Sequence, residues 1–359
     1  MARPTRLSRQ QQRQIRDLIA KHDPLIRQAF EAAVQNAHGA VDFAALVEAV
    51  QRNDFDRAAQ LLRLNQAMLW PLEEAVRTAV YAGGAAVTSP KGIAGSFSFN
   101  GRHPRAEQII AEAGARLVTE IGSPGVEPIR ALILQAQKES VGAQVTARRL
   151  AGVLNPRTGV REGGIMGLDG PRAQRSTRVR EILGDPEQIK DYFKGNKPRY
   201  TSTDRRFDKQ VRTAIAEGRA LDKATIERIT KAHDARLLKA RGQTIAKNEA
   251  FTAQAQGRNE AYQQLMEGGK VESILKRWDH NSAKDPRHDR RALDGVEVGL
   301  NESFDVAGGT MLYPHDPAAS ADQTLGCRCT VVYVPQYRRP GADSPPSDSR
   351  IRSPRDSRA

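Results

Sequence analysis

Side chains able to do chemistry gather toward the C-terminal end of this 359-residue chain. Its two cysteines, Cys327 and Cys329, flank Arg328. A pair this close is ill-suited to a structural disulfide, because the required Cα separation and torsion are hard to meet across one residue. Metal ligation or plain burial suits it better. With His288 and His315 the cysteines form a donor set for a structural tetrahedral zinc ion, with His280 and Asp285 as further donors. The competing reading has both cysteines ending a strand in a reducing environment with the histidines in loops and no cofactor. A second constellation, Asp279, His280, Asn281 and His288, is superficially that of a metal-dependent His-Asn-His nuclease. Such a site needs a hairpin feeding a helix that presents both histidines, and Pro286 with its Asp-rich surroundings does not predict that layout. The expectation is a chain that is not an enzyme, with the nuclease as alternative. The glycine-rich run from Asn155 to Gly170 predicts mobility, and within it Gly163-Gly-Ile-Met-Gly167 lacks the Lys-Ser/Thr of a phosphate loop.

Charge offers a different chemistry. The formal net charge is +14, from 56 Lys and Arg against 42 Asp and Glu. Between Arg148 and Arg212 stand 16 basic and 8 acidic residues, so this stretch is the candidate electrostatic footprint for an acidic partner. Aromatic residues make up only 5%, too few for a single-strand stacking platform. Sequence-independent contact with double-stranded DNA fits better, through Arg148, Arg149, Arg172, Arg175, Arg178, Arg180, Arg205, Arg206, Lys209 and Arg212. Phe207, Val211 and Ile215 line one helical face there and the basic residues the other.

The elements that must position these groups are mainly helical. Residues 1–82 carry apolar residues at helical spacing and predict a hairpin or small bundle, with Asp23-Pro24, Asp42 and Asp54 as start signals. Residues 83–103 are Gly- and Ser-rich and predict a long loop; their glycines disfavour a membrane-active amphipathic helix. Residues 104–240 predict a basic helical region, with one helix spanning Ile129 to Leu150 and His233 on an apolar line as a core histidine. A further helix from Gln243 to Met266 opens a small α+β module over 241–336, with strands at Val271–Trp278 and Thr330–Val334. Residues 337–359, rich in Arg, Pro, Ser and Asp, predict a disordered tail. No apolar run reaches the about 20 residues of a transmembrane helix.

Within the module the order of short motifs is informative. Trp278-Asp-His-Asn-Ser-Ala-Lys-Asp-Pro-Arg-His288 precedes Ala292-Leu-Asp-Gly295, Phe304, Tyr313-Pro-His-Asp-Pro317 and Gly326-Cys-Arg-Cys329. This order, with Thr244-Ile-Ala-Lys-Asn-Glu249 before it, resembles the Mu F-like phage head morphogenesis domain. Trp278, Asp285, Arg287, Asp294, Gly295, Pro314, Asp316 and Pro317 carry the resemblance. Arg290 stands where family members often have a histidine. The resemblance implies a minor virion protein inside the capsid near the portal, assembled in the host cytoplasm, that aids DNA packaging or ejection. Its implied partners are the portal protein, a scaffold or capsid protein, and packaged DNA. An adaptor to portal or scaffold without DNA binding is the other alternative.

Overall fold

The computed structural model describes residues 7–89, 96–122, 124–269, 271–280 and 291–336. The chain is mainly α-helical, with short sheets and a small α+β portion at the C-terminal end. Helix α1 (Arg9–Ala40) opens on a reciprocal cap: the Ser8 hydroxyl accepts from the Gln11 N–H, and the Gln11 side chain accepts from the Ser8 N–H. Helices α2 (Phe43–Gln51), α3 (Phe55–Leu61) and α4 (Gln66–Ala85) begin at Asp42, Asp54 and Asn65, each of whose side chains accepts a first-turn N–H. Helices α5 (Pro104–Ile121), α6 (Val126–Lys138), α7 (Ala143–Ala151), α8 (Gly170–Gly184), α9 (Asp208–Ala216) and α10 (Lys223–Glu267) follow.

Helix α10 is the axis of the molecule. Asp222 caps it through the Thr225 N–H, and 45 residues without a proline carry it to Gly268. At about 1.5 Å per residue it is roughly 68 Å long. The sequence predicts two helices here, ending and restarting near residue 240; they are one. Gly242 lies inside it because Phe30 of α1 packs there, 3.1 Å from where a Cβ would sit. The 240/241 division between basic region and module therefore falls within continuous helix.

Helices α1, α4 and α10 pack together over Ile26, Phe30, Val34, Leu69, Leu72, Val76, Ala250 and Ala253, all buried. Each large apolar side chain removed from water there contributes about 1.5–3 kcal/mol. Two further expectations are corrected around this core. The predicted single helix from Ile129 to Leu150 breaks into α6 and α7, because Ser140 turns to φ +51 and Gly142 starts the next helix. The glycine-rich run predicted to be mobile is anchored instead. It forms a hairpin of β1 (Val153–Leu154) and β2 (Arg161–Glu162), then buries Ile165, Met166 and Leu168 in the main core. Buried Arg241 donates to the Gly167 carbonyl at 2.5 Å and to that of Ile121 at 3.1 Å.

A second small core joins the end of α8, the 3₁₀ turn Ile189–Tyr192, α9 and the start of α10 through Val179, Leu183, Tyr192, Val211 and Ile229. His233 closes on this region fully buried, in keeping with a core histidine. Between β3 (Phe193–Lys194) and β4 (Lys197–Pro198) a two-residue turn projects outward.

The C-terminal portion is built on a three-stranded antiparallel sheet in the order β6 (Glu297–Gly299), β5 (Ser273–Asp279), β9 (Thr330–Gln336), beside a hairpin of β7 (Phe304–Val306) and β8 (Gly309–Met311). Both strands predicted from β-branched content are present. Tyr262 of α10 stacks on Tyr333 of β9 with centroids 4.1 Å apart, which fixes the helix to the sheet. Lys276, fully buried in β5, donates to the carbonyls of Glu302 at 2.7 Å and Leu312 at 2.6 Å. Burial pushes its ammonium down to about 8. Lys276→Met removes the donor from both carbonyls while keeping the side-chain length, and should cost about 2–4 kcal/mol in a urea unfolding titration. A loss below about 0.5 kcal/mol would show that the two loops do not depend on it.

Among the described residues no helix is long and apolar enough to cross a membrane. Residues 337–359, predicted to be a disordered tail, lie outside the described residues.

Candidate nucleic-acid interface

The ten cationic residues singled out in the sequence do not form one surface. Arg149 and Arg180 are corrected: both are buried, and neither can reach a phosphate. Arg149 pairs with Glu139 at 2.7 Å and Glu227 at 2.9 Å, and Arg180 lies 2.8 Å from the same Glu227. Glu227 is on α10, far along the chain, so no local pattern marks the pair as internal. Buried guanidinium groups of this kind are held by their carboxylates, and removing the partner leaves a costly unpaired charge.

The remaining eight are on the surface but differ in how much of their charge is already matched. Arg172 is half-buried against Asp169 and within 3.4 Å of the Thr244 hydroxyl. Arg178 pairs with Glu181 at 3.1 Å and Gln188 at 2.8 Å. Arg205 faces Asp208, and Arg206 binds Asp204, whose carboxyl is held down to about 2 by that hydrogen bond. Arg175 lies over the Tyr200 ring at 5.4 Å. Arg148 is exposed at the end of α7, and Lys209 is exposed with no partner among the described residues. Arg212 covers the Phe193 ring at 4.1 Å and donates to the Asn196 carbonyl at 2.9 Å.

That last contact reveals what the sequence analysis missed. It joins α9 to the tip of the β3–β4 hairpin, where Lys194 and Lys197 sit directly opposite each other in register. Both are exposed and without partners among the described residues. Like charges directly opposite across two strands destabilise the pairing, a cost a polyanion would relieve. A local signal existed: Lys194-Gly-Asn-Lys197 is a two-residue hairpin turn, and Gly195 takes φ +61 as that turn requires. Lys194, Lys197, Lys209 and Arg212 thus form a compact basic ridge on a small, separately packed core.

The proposed zinc donors are only partly brought together. His288 lies outside the described residues, as do Asp285 and Arg287. Cys329 Sγ is 3.6 Å from His280 Nδ1, and Cys327 Sγ accepts from the Cys329 N–H at 3.4 Å. The hydrogen bond with Cys329 lowers the Cys327 thiol below the ordinary thiol range, against the opposing effect of burial. His315 also stacks on Phe251 with centroids 4.8 Å apart. Among the described residues no group of three or more His, Cys, Asp or Glu side chains is placed to hold a metal ion.

The described motif residues of the module build its turns and core. Trp278 is buried edge-on to Phe304 at 5.1 Å. The Asp294 carboxylate accepts from the His280 N–H at 2.9 Å, and Gly295 at φ +85 donates its N–H to the Trp278 carbonyl at 2.9 Å. Asp316 accepts from the N–H groups of Leu312 at 2.7 Å and Ala318 at 2.9 Å, fixing a loop that Pro314 and Pro317 bracket.

No family model matches the chain, and no solved structure matches it. One curated relative is an uncharacterized protein, YqbB, of Bacillus subtilis (strain 168), 31% identical over 98 residues. The match takes in 26% of this chain and 30% of that protein. The chain thus spans under a third of the length of the relative it matches.

Proposed function

We propose that this chain is a non-enzymatic minor virion protein of a phage head, located inside the capsid near the portal, that contacts double-stranded DNA without sequence preference and aids packaging or ejection. Two things support the reading. The ordered motifs from Trp278 to Cys329 resemble the Mu F-like head module, and their described residues serve turns and core. The observation that carries the DNA contact is the ridge of Lys194, Lys197, Lys209 and Arg212, in which three lysines have no protein partner among the described residues. Portal, scaffold or capsid proteins would be met elsewhere on the surface.

Each phosphate neutralised contributes about 0.9 to the slope of log affinity against log salt. The triple variant Lys194→Ala, Lys197→Ala, Lys209→Ala should therefore lower that slope by about 3 on random-sequence duplex DNA. Replacing Arg149 or Arg180 should leave the slope unchanged and lower stability instead. Unchanged binding by the triple variant would remove the ridge from the DNA contact. Absence of binding by the parent protein at low salt would leave an adaptor to portal or scaffold, and metal-dependent cleavage would replace the proposal with a nuclease.

A further inference from the structure

A cleft of about 560 Å³ opens where the first turns of α1, the middle of α10 and the adjoining ends of β5 and β9 meet. Its size falls within the roughly 300–1,000 Å³ of ligand-binding sites. Ile15, Ile19 and Phe251 line it with apolar surface, continuous with a small core in which Leu7 and Ile15 meet Val332 and Val334. Three cations enter it from three separate elements: Arg16 from α1, Lys247 from α10 and Arg328 from the turn before β9. All three are exposed, and none has an ion pair or hydrogen bond among the described residues. Among the described lining residues Asp279 is the one carboxylate; it is buried and is not without a partner.

We infer that this cleft binds an acidic segment of a partner protein, with one or two apolar side chains seated between α1 and α10 and its carboxylates paired to Arg16, Lys247 and Arg328. Unpaired cations around an apolar floor complement an anionic, amphipathic chain, and the charges would set both recognition and rate of encounter. Duplex DNA presents its charge on a convex rod with the apolar faces of its bases stacked inside, so it has nothing to place on Ile15 and Ile19. A single strand would need aromatic platforms. Phe251, the one Phe, Tyr or Trp among the described lining residues, is already stacked on His315. Segments of the chain itself are poor occupants by charge. Residues 1–6 carry two arginines and no acid, residues 281–290 carry three Lys and Arg against two Asp, and residues 337–359 carry six Arg against three Asp.

The test is selection of a random displayed dodecapeptide library on the full chain, followed by affinity measurement of the enriched peptides. Peptides combining carboxylates with apolar residues should be enriched. Each should lose about tenfold or more in affinity on the variant Arg16→Glu, Lys247→Glu, Arg328→Glu, whose thermal melt should match the parent because all three side chains are exposed. If that variant melts early, the single changes Arg16→Gln and Lys247→Gln replace it, each expected to weaken binding severalfold. A random-sequence duplex should not displace the peptide. The inference is overturned if no peptides are enriched, if they carry no acidic bias, or if their affinity is indifferent to these substitutions. It is also overturned if the duplex displaces them and the cleft variants lose DNA binding while the lysine-ridge variant keeps it, which would make the cleft a nucleic-acid site. Because ridge and cleft are altered separately, failure here and failure of the DNA reading are distinguishable.

Discussion

Gly257→Val should destabilise the chain by about 3 kcal/mol or more, seen as a lowered midpoint in a denaturant titration with the slope unchanged. The reason is the crossing of α4 and α10. A Cβ at Gly257 would stand 2.0 Å from the Val80 carbonyl oxygen and 2.7 Å from the Gly84 amide nitrogen. The contact is made from the other side as well, since a Cβ at Gly83 would stand 2.9 Å from both the Cα and the carbonyl oxygen of Gln254. These neighbours are backbone atoms in the middle of two helices, so no side-chain rotation can relieve the overlap. The helices must move apart, and the apolar contacts along both would be loosened together. Gly39, near the end of α1, has open space around its missing Cβ. Gly39→Ala should be neutral or stabilising by a few tenths of a kcal/mol, through helix propensity alone. A Gly257→Val midpoint equal to the parent's would show that α4 and α10 do not pack this closely.

Asp234→Asn should change the dependence of stability on pH. Burial raises the Asp234 carboxyl to about 7 against an ordinary 3.8, with Ser176 and Arg180 opposing the rise and Glu227 adding to it. The folded state keeps a proton that the unfolded chain releases, so this group's contribution falls as pH rises from about 4 to about 7. The span corresponds to about 4 kcal/mol. The neighbouring His233 acts in the opposite sense. Its burial, with Arg175 and Arg236 nearby, pushes the imidazole down to about 4 from 6.5. The unfolded chain then takes up a proton that the folded state refuses, so the His233 contribution falls as pH drops from 6.5 to about 4, by about 3 kcal/mol. Between pH 4 and 6.5 the two slopes largely cancel in the parent. With the carboxyl replaced by an amide, the His233 slope is no longer offset, and stability should rise by about 3 kcal/mol relative to the parent from pH 4 to 6.5. At pH 8 the variant should exceed the parent. Parallel pH profiles for the two proteins would show that Asp234 is ionised in the fold.

Much of the fold is legible in local pattern. Helix starts at Asp42 and Asp54, the strands around Trp278 and Val331, and the buried position of His233 follow from residue type and spacing, because caps, β-branched runs and apolar stripes act within a few residues. The breaks are less legible. After α6 the chain turns at Ser140, a non-glycine at positive φ, with Gly142 two residues on as the local signal, whereas Gly242 looks like a break and is instead the seat of Phe30. A glycine in a helix can mean an end or a close contact, and only the partner decides which.

The candidate interface divides in the same way. Composition determined that the chain carries excess positive charge and that the stretch from Arg148 to Arg212 supplies much of it. Order of motifs determined the resemblance carried by Trp278 to Cys329. Tertiary structure decided which cations remain available. It turned Arg149 and Arg180 inward onto Glu227, matched Arg178 and Arg206 with nearby acids, left Lys194, Lys197 and Lys209 without partners among the described residues, and drew Arg16, Lys247 and Arg328 into one cleft from distant parts of the chain. Sequence counts charges one residue at a time. Pairing and desolvation depend on which residues the fold brings within a few ångströms, and that is set by packing between elements far apart in the chain.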